Sequence, residues 1–103
     1  MLTFAETKLF THLVSQYLGD EDYASLQHAL AANPEAGDVV RGSGGVSASF
    51  AGVWRERGGV RVISYLRMRR GQIWMLTISA KNEAATIAGP TLKRIKEEID
   101  GLD

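Results

Sequence analysis

Val60-Arg61-Val62-Ile63-Ser64-Tyr65-Leu66-Arg67-Met68-Arg69-Arg70-Gly71-Gln72-Ile73-Trp74-Met75-Leu76-Thr77-Ile78-Ser79 holds two apolar runs separated by a short polar turn. Val60 to Met68 and Gln72 to Ser79 read as strands, because β-branched and aromatic side chains fit a pleated surface. Arg69, Arg70 and Gly71 make the turn of a hairpin between them. Both runs are apolar on both faces over much of their length, the pattern of central strands covered by helices. A period of two places Arg61, Ile63, Tyr65 and Arg67 on one side of the first strand, against Val60, Val62, Ser64, Leu66 and Met68. In the second it places Ile73, Met75, Thr77, Ser79 and Lys81 on one face and Trp74, Leu76, Ile78 and Ala80 on the other. Arg61 and Lys81 then meet at one edge of the sheet, within reach of Arg55 and Arg57 on the incoming loop.

Outward from the hairpin, the pattern changes to helical. Leu2 and Phe4 alternate with polar neighbours as a short strand. Thr7 is placed to cap a helix whose stripe is Leu9, Phe10, Leu13, Val14, Tyr17 and Leu18. Gly19 is expected to end that helix in a left-handed conformation, and Asp20 to cap the next. The second helix buries Tyr23, Leu26, Ala29 and Leu30 and stops at Asn33-Pro34. Asn33 to Gly45 reads as loop, and Val46 to Val53 as a strand of small residues around Phe50. Gly89-Pro90 opens a last helix with Leu92, Ile95 and Ile99 inward. Strand, two helices, three strands, helix is an α+β order, with an antiparallel sheet packed against two N-terminal helices and a C-terminal helix. Residues 1–103 form one domain, with no linker to divide them.

The bulk composition excludes more than it identifies. With 45% hydrophobic and 23% charged residues the chain is an ordinary globular one, and it has no cysteine for disulfide or thiolate chemistry. No apolar run approaches the roughly 20 residues that cross a bilayer, and the N-terminus lacks the pattern of a signal peptide. These features predict a cytoplasmic protein with no membrane partner. The balance of 12 basic and 12 acidic residues hides a segregation. Six acids and one base lie in residues 1–38, eight bases and one acid in 39–81, three bases and five acids in 82–103. A cationic β-rich segment suits a phosphate backbone, although charges of this kind also solvate the outer face of a sheet.

Other candidate motifs carry little chemistry. Gly42-Ser43-Gly44-Gly45 lacks the Lys-Ser/Thr of a phosphate loop, and a turn accounts for it better. His12 and His28 lack the partner spacing of a metal site, so neither a metal nor a cofactor is expected. The serines have no histidine nearby in sequence to activate them. Trp74 and Tyr65 are more naturally core than base-stacking platforms. The convergent cations remain, able to bind a phosphate and stabilise the added charge of a pentacoordinate transition state.

Three stretches resemble the RelE/HigB-like toxins of bacterial type II toxin–antitoxin systems. Residues Asn33 to Gly45 resemble the family's connector. Arg57-Gly58-Gly59-Val60-Arg61-Val62-Ile63 resembles its Gly-Gly-x-Arg-Val-Ile strand. Ile73 to Ile78 with Ala80-Lys81-Asn82-Glu83 resembles its closing strand. The resemblance implies a RelE-like (microbial-RNase-like) fold and a ribosome-dependent, metal-independent mRNA endoribonuclease held in check by a cognate antitoxin. The implied partners are the antitoxin, the ribosome and mRNA, with DNA contacted only through the antitoxin. Arg61 and Lys81 match the family's functional positions and are the expected catalytic pair. Arg55, Arg57 and Arg67 are the expected phosphate-binding residues.

The chain also departs from the family pattern. A basic cluster is usual where it reads Val46-Ser47-Ala48-Ser49-Phe50, and tyrosines are usual where Ser64 and Ser79 stand. Serine brings neither the positive charge nor the stacking surface that holds RNA. These departures fit a divergent or attenuated toxin, or introduced substitutions. They also keep open a rival reading, a non-catalytic toxin-scaffold module that binds an antitoxin and acts with it as a co-repressor.

Overall fold

The computed structural model describes residues 2–51, 58–83 and 87–102. In chain order these form β1 (Thr3–Glu6), α1 (Lys8–Tyr17), α2 (Asp20–Ala32), β2 (Asp38–Val39), β3 (Ser47–Ala51), β4 (Val60–Arg67), β5 (Gln72–Ala80) and α3 (Gly89–Asp100). The sheet order is β1-β5-β4-β3-β2. The hairpin falls where the apolar runs place it, turning through a short 3-10 segment, Met68–Arg70, and Gly71 at φ 62°. The result is a small α+β domain with three helices and five strands among the described residues.

The sheet is mixed, which corrects the expected antiparallel one. β1 lies parallel to β5, Thr3 opposite Gln72 and Glu6 opposite Met75, while the other pairs are antiparallel. The reason is long-range: the first strand occupies the open edge of β5, tied by Thr3 N–H to the Gly71 carbonyl and Thr7 N–H to that of Met75. A second correction concerns the connector, which holds the two-residue β2 opposite Ala48 and Ser47. Gly37 permits that approach, since a Cβ there would lie 2.5 Å from the Ala48 carbonyl oxygen.

Helices cover both faces of the sheet. On one, Phe10 and Leu18 of the α1 region and Leu26 and Leu30 of α2 pack on Val60, Val62, Ile73, Met75 and Ile78. On the other, Leu92 and Ile99 of α3 pack on Val46, Ile63 and Leu76, flanked by Tyr65 and Trp74. Thr7 caps α1 as its sequence position implies, accepting from Phe10 N–H at 3.1 Å. Gly19 is not left-handed: at φ −79° it is the N-cap of α2, and Asp20 is the helix's first residue. The three acids of that first turn, Asp20, Glu21 and Asp22, oppose the helix dipole. The glycine-rich loop is a pinned turn, in which the buried Ser43 hydroxyl donates to the Val40 carbonyl and accepts from Val46 N–H.

At the far end of β4, Tyr65 donates to Asp100 at 2.7 Å and Lys96 pairs with the same carboxylate at 3.0 Å. Burial raises the Tyr65 hydroxyl above its ordinary range, and the Asp100 hydrogen bond adds to that. Burial acts to raise the Asp100 carboxyl, but the bonds from Tyr65 and Lys96 outweigh it and hold it below its usual value.

Candidate RNA-contacting face

The geometry of the site begins with an irregularity in the hairpin. Ser64 pairs with Met75 and Ile63 with Thr77, so Leu76 has no partner on β4 and forms a β-bulge. Beyond it every residue of β5 is turned over relative to a regular strand. Thr77 and Ser79 therefore share a face with Ile63 and Arg61, while Ile78 joins Met75 in the core under α1 and α2. This corrects the sequence-based grouping of Ile73 and Met75 with Thr77, Ser79 and Lys81. Without the bulge, Arg61 would oppose Ile78 and Lys81 would project from the other side of the sheet. Thr7 secures the bulge, its hydroxyl donating to the Leu76 carbonyl at 2.7 Å.

Three strands bring Phe50, Arg61 and Ser79 into one row, with Lys81 just beyond. The Arg61 guanidinium carbon and the Lys81 Nζ each lie 5.4 Å from the centre of the Phe50 ring. The ring's negative π face holds the two cations side by side, offsetting part of their mutual repulsion. Two of the five N–H groups of a guanidinium are bonded here, to the carbonyls of Glu83 at 3.2 Å and Lys81 at 3.4 Å. Those bonds orient Arg61 before any ligand arrives. Phe50 is 50% exposed and Lys81 is exposed, so the group faces solvent. An anion placed there would gain two charge-assisted contacts.

The carboxylate of Glu83, close by in the chain, accepts from Ala80 N–H at 2.9 Å and from the Tyr17 hydroxyl at 3.2 Å. Burial raises the Tyr17 hydroxyl above its ordinary range, and the Glu83 charge raises it further. Between this edge and α3 lies a pocket of about 140 Å³ whose wall includes Arg61, Thr77 and Ser79. No family model matches the chain.

The structure thus brings Arg61 and Lys81 together. Arg55 and Arg57 lie outside the described residues. Arg67 stands apart: it is 4% exposed at the other end of β4, its guanidinium donating to the Asp100 and Leu102 carbonyls and to Gln72. That environment holds the C-terminal end of α3 on the sheet and places Arg67 away from the Arg61–Lys81 edge. Among the serine positions, Ser47, Ser49 and Ser64 face α1 and α2, since they lie across from or beside Val62 and Met75. Only Ala48 and Ser79 stand on the Arg61 side. Phe50 is the residue that sequence reasoning missed, and its signal was an isolated aromatic in a strand of small residues. Among the described residues no three His, Asp or Glu side chains cluster as a metal site, and no helix is long and apolar enough to cross a membrane.

Proposed function

We propose that this face contacts RNA and that the chain is a toxin of the RelE/HigB kind, a ribosome-dependent mRNA endoribonuclease of reduced activity. The observation that carries the reading is the Arg61–Lys81 pair, held over Phe50 at an exposed sheet edge. The sequence resemblance supplies the class of reaction. The ribose 2′-oxygen attacks the adjacent phosphorus, the 2′-O–P bond forms and the P–O5′ bond breaks. The products are a 2′,3′-cyclic phosphate and a 5′-hydroxyl. Arg61 holds the charge that builds on the phosphoryl oxygens, and the Lys81 ammonium supplies the proton taken by the departing 5′-oxygen. The 2′ proton passes to water, no side chain of this face being assigned as its general base.

Ala48 and Ser79, standing on the Arg61 side where charge or stacking would strengthen RNA contact, favour a second reading. In it the chain keeps the toxin scaffold, binds an antitoxin and does not cleave. Translation in vitro with primer-extension mapping of the mRNA separates the two. Discrete cuts that require ribosomes are expected of the enzyme. A folded protein that binds antitoxin and leaves translated mRNA intact would establish the module instead.

A further inference from the structure

The pocket beside Arg61 has a size and a chemistry that the cation pair alone does not explain. Val40, Ala48, Ile63 and Leu92 give it apolar walls, and its volume is about 140 Å³. An apolar cavity of about 150 Å³ accommodates one benzene ring, so this partly open pocket has room for a single six-membered ring and is small for a fused bicycle. Two hydroxyls, on Thr77 and Ser79, stand on its wall, and no side-chain hydrogen bond among the described residues engages either. Each is both donor and acceptor. Among the described residues the buried side-chain oxygen without a partner is Ser49 Oγ, so the Thr77 and Ser79 hydroxyls open onto the pocket, and a ligand that pairs with both gains hydrogen bonds that one without matching groups does not.

We propose that this pocket takes a pyrimidine base, with the attached phosphate on Arg61 and Lys81. The inference rests on the reading of this face as RNA-contacting and adds a base preference to it. Apolar walls receive the faces and edge of the ring. The Thr77 and Ser79 hydroxyls meet its carbonyl and ring-nitrogen edge. Leu76 sets this up, because its bulge is what turns both hydroxyls toward Arg61.

The test is a titration of ¹⁵N-labelled protein with 3′-CMP, 3′-UMP, 3′-AMP, 3′-GMP and inorganic phosphate, read by amide shifts. Both pyrimidine nucleotides are expected to move the amides of Ile63, Thr77 and Ser79 and to bind at least several-fold tighter than phosphate. The purine nucleotides are expected to bind no better than phosphate. Ala48→Leu, which fills the pocket, should bring the pyrimidine nucleotides down to the phosphate level without changing phosphate binding. Thr77→Val keeps the volume and should weaken the pyrimidine nucleotides three- to tenfold, again sparing phosphate. Equal binding of purines and pyrimidines, pyrimidine affinity unchanged in both variants, or no nucleotide binding at millimolar concentration would each overturn the proposal. Cleavage mapped in the translation assay keeps the two claims apart. Ribosome-dependent cuts without pyrimidine shifts sink the pocket alone, and pyrimidine binding without cuts sinks the nuclease alone.

Discussion

Arg61 and Arg67 share a strand and a face, yet their surroundings give them opposite work. Arg61 is anchored by two backbone carbonyls at an edge open to solvent, whereas Arg67 is buried and spends its donors on the end of α3. Arg67→Ala strands the Asp100 and Leu102 carbonyls, so a loss of about 1–3 kcal/mol in urea unfolding is expected. RNA affinity, measured below the transition, should not change. Gly89 is a second residue whose role is steric: a Cβ there would fall 1.9 Å from the Arg41 carbonyl oxygen. Gly89→Ala must push the glycine-rich turn off the start of α3. A cost of about 1–3 kcal/mol is expected, with a melting temperature lower by about 4–8 °C for each kcal/mol.

Among the elements, β5 decides the site, and its bulge is where sequence reading stops short. Ile73-Trp74-Met75-Leu76-Thr77-Ile78 is nearly all apolar, so a slip of one residue leaves both faces equally able to enter a core. Alternation therefore located the strand and its turn but put Ser79 and Lys81 on the side of Ile73 and Met75, a grouping the bulge reverses. The parallel partner of β5 was equally hidden, because Leu2 and Phe4 mark a strand without marking its neighbour. Arg61 and Lys81 were legible as a pair through their places at the strand ends, while Phe50 between them was not. Thr7 joins these elements, capping α1 and binding the bulge carbonyl with one hydroxyl. Thr7→Val should cost about 1–3 kcal/mol in denaturant unfolding, a lost cap plus an unsatisfied carbonyl. The α3 clamp gives a pH signature of known sign. The Asp100 carboxyl is held below its ordinary value near 3.8 by Tyr65 and Lys96, against the opposing effect of burial. Its contribution to stability is therefore complete above about pH 4 and is lost as pH falls through the lower folded value. Asp100→Asn should flatten the acid limb of a stability–pH curve, modestly because the pair is partly exposed.

For the whole molecule, zero net charge conceals a division of labour. The acids of α2 lie in its first turn, while the sheet edge at Arg61 and Lys81 presents the cations. RNA attraction through that edge is expected to weaken with salt. Removing both cations should reduce the slope of log affinity against log salt by about 1.4, at about 0.7 per single-stranded phosphate contact. The central claim is that a face assembled by one bulged residue cleaves translated mRNA through Arg61 and Lys81. The most direct test compares wild type, Arg61→Ala and Lys81→Ala in ribosome-dependent mRNA cleavage, with melting curves showing that all three are folded. Cuts by the wild type that disappear in both variants are the predicted result; undiminished cuts in the two folded variants would contradict the account.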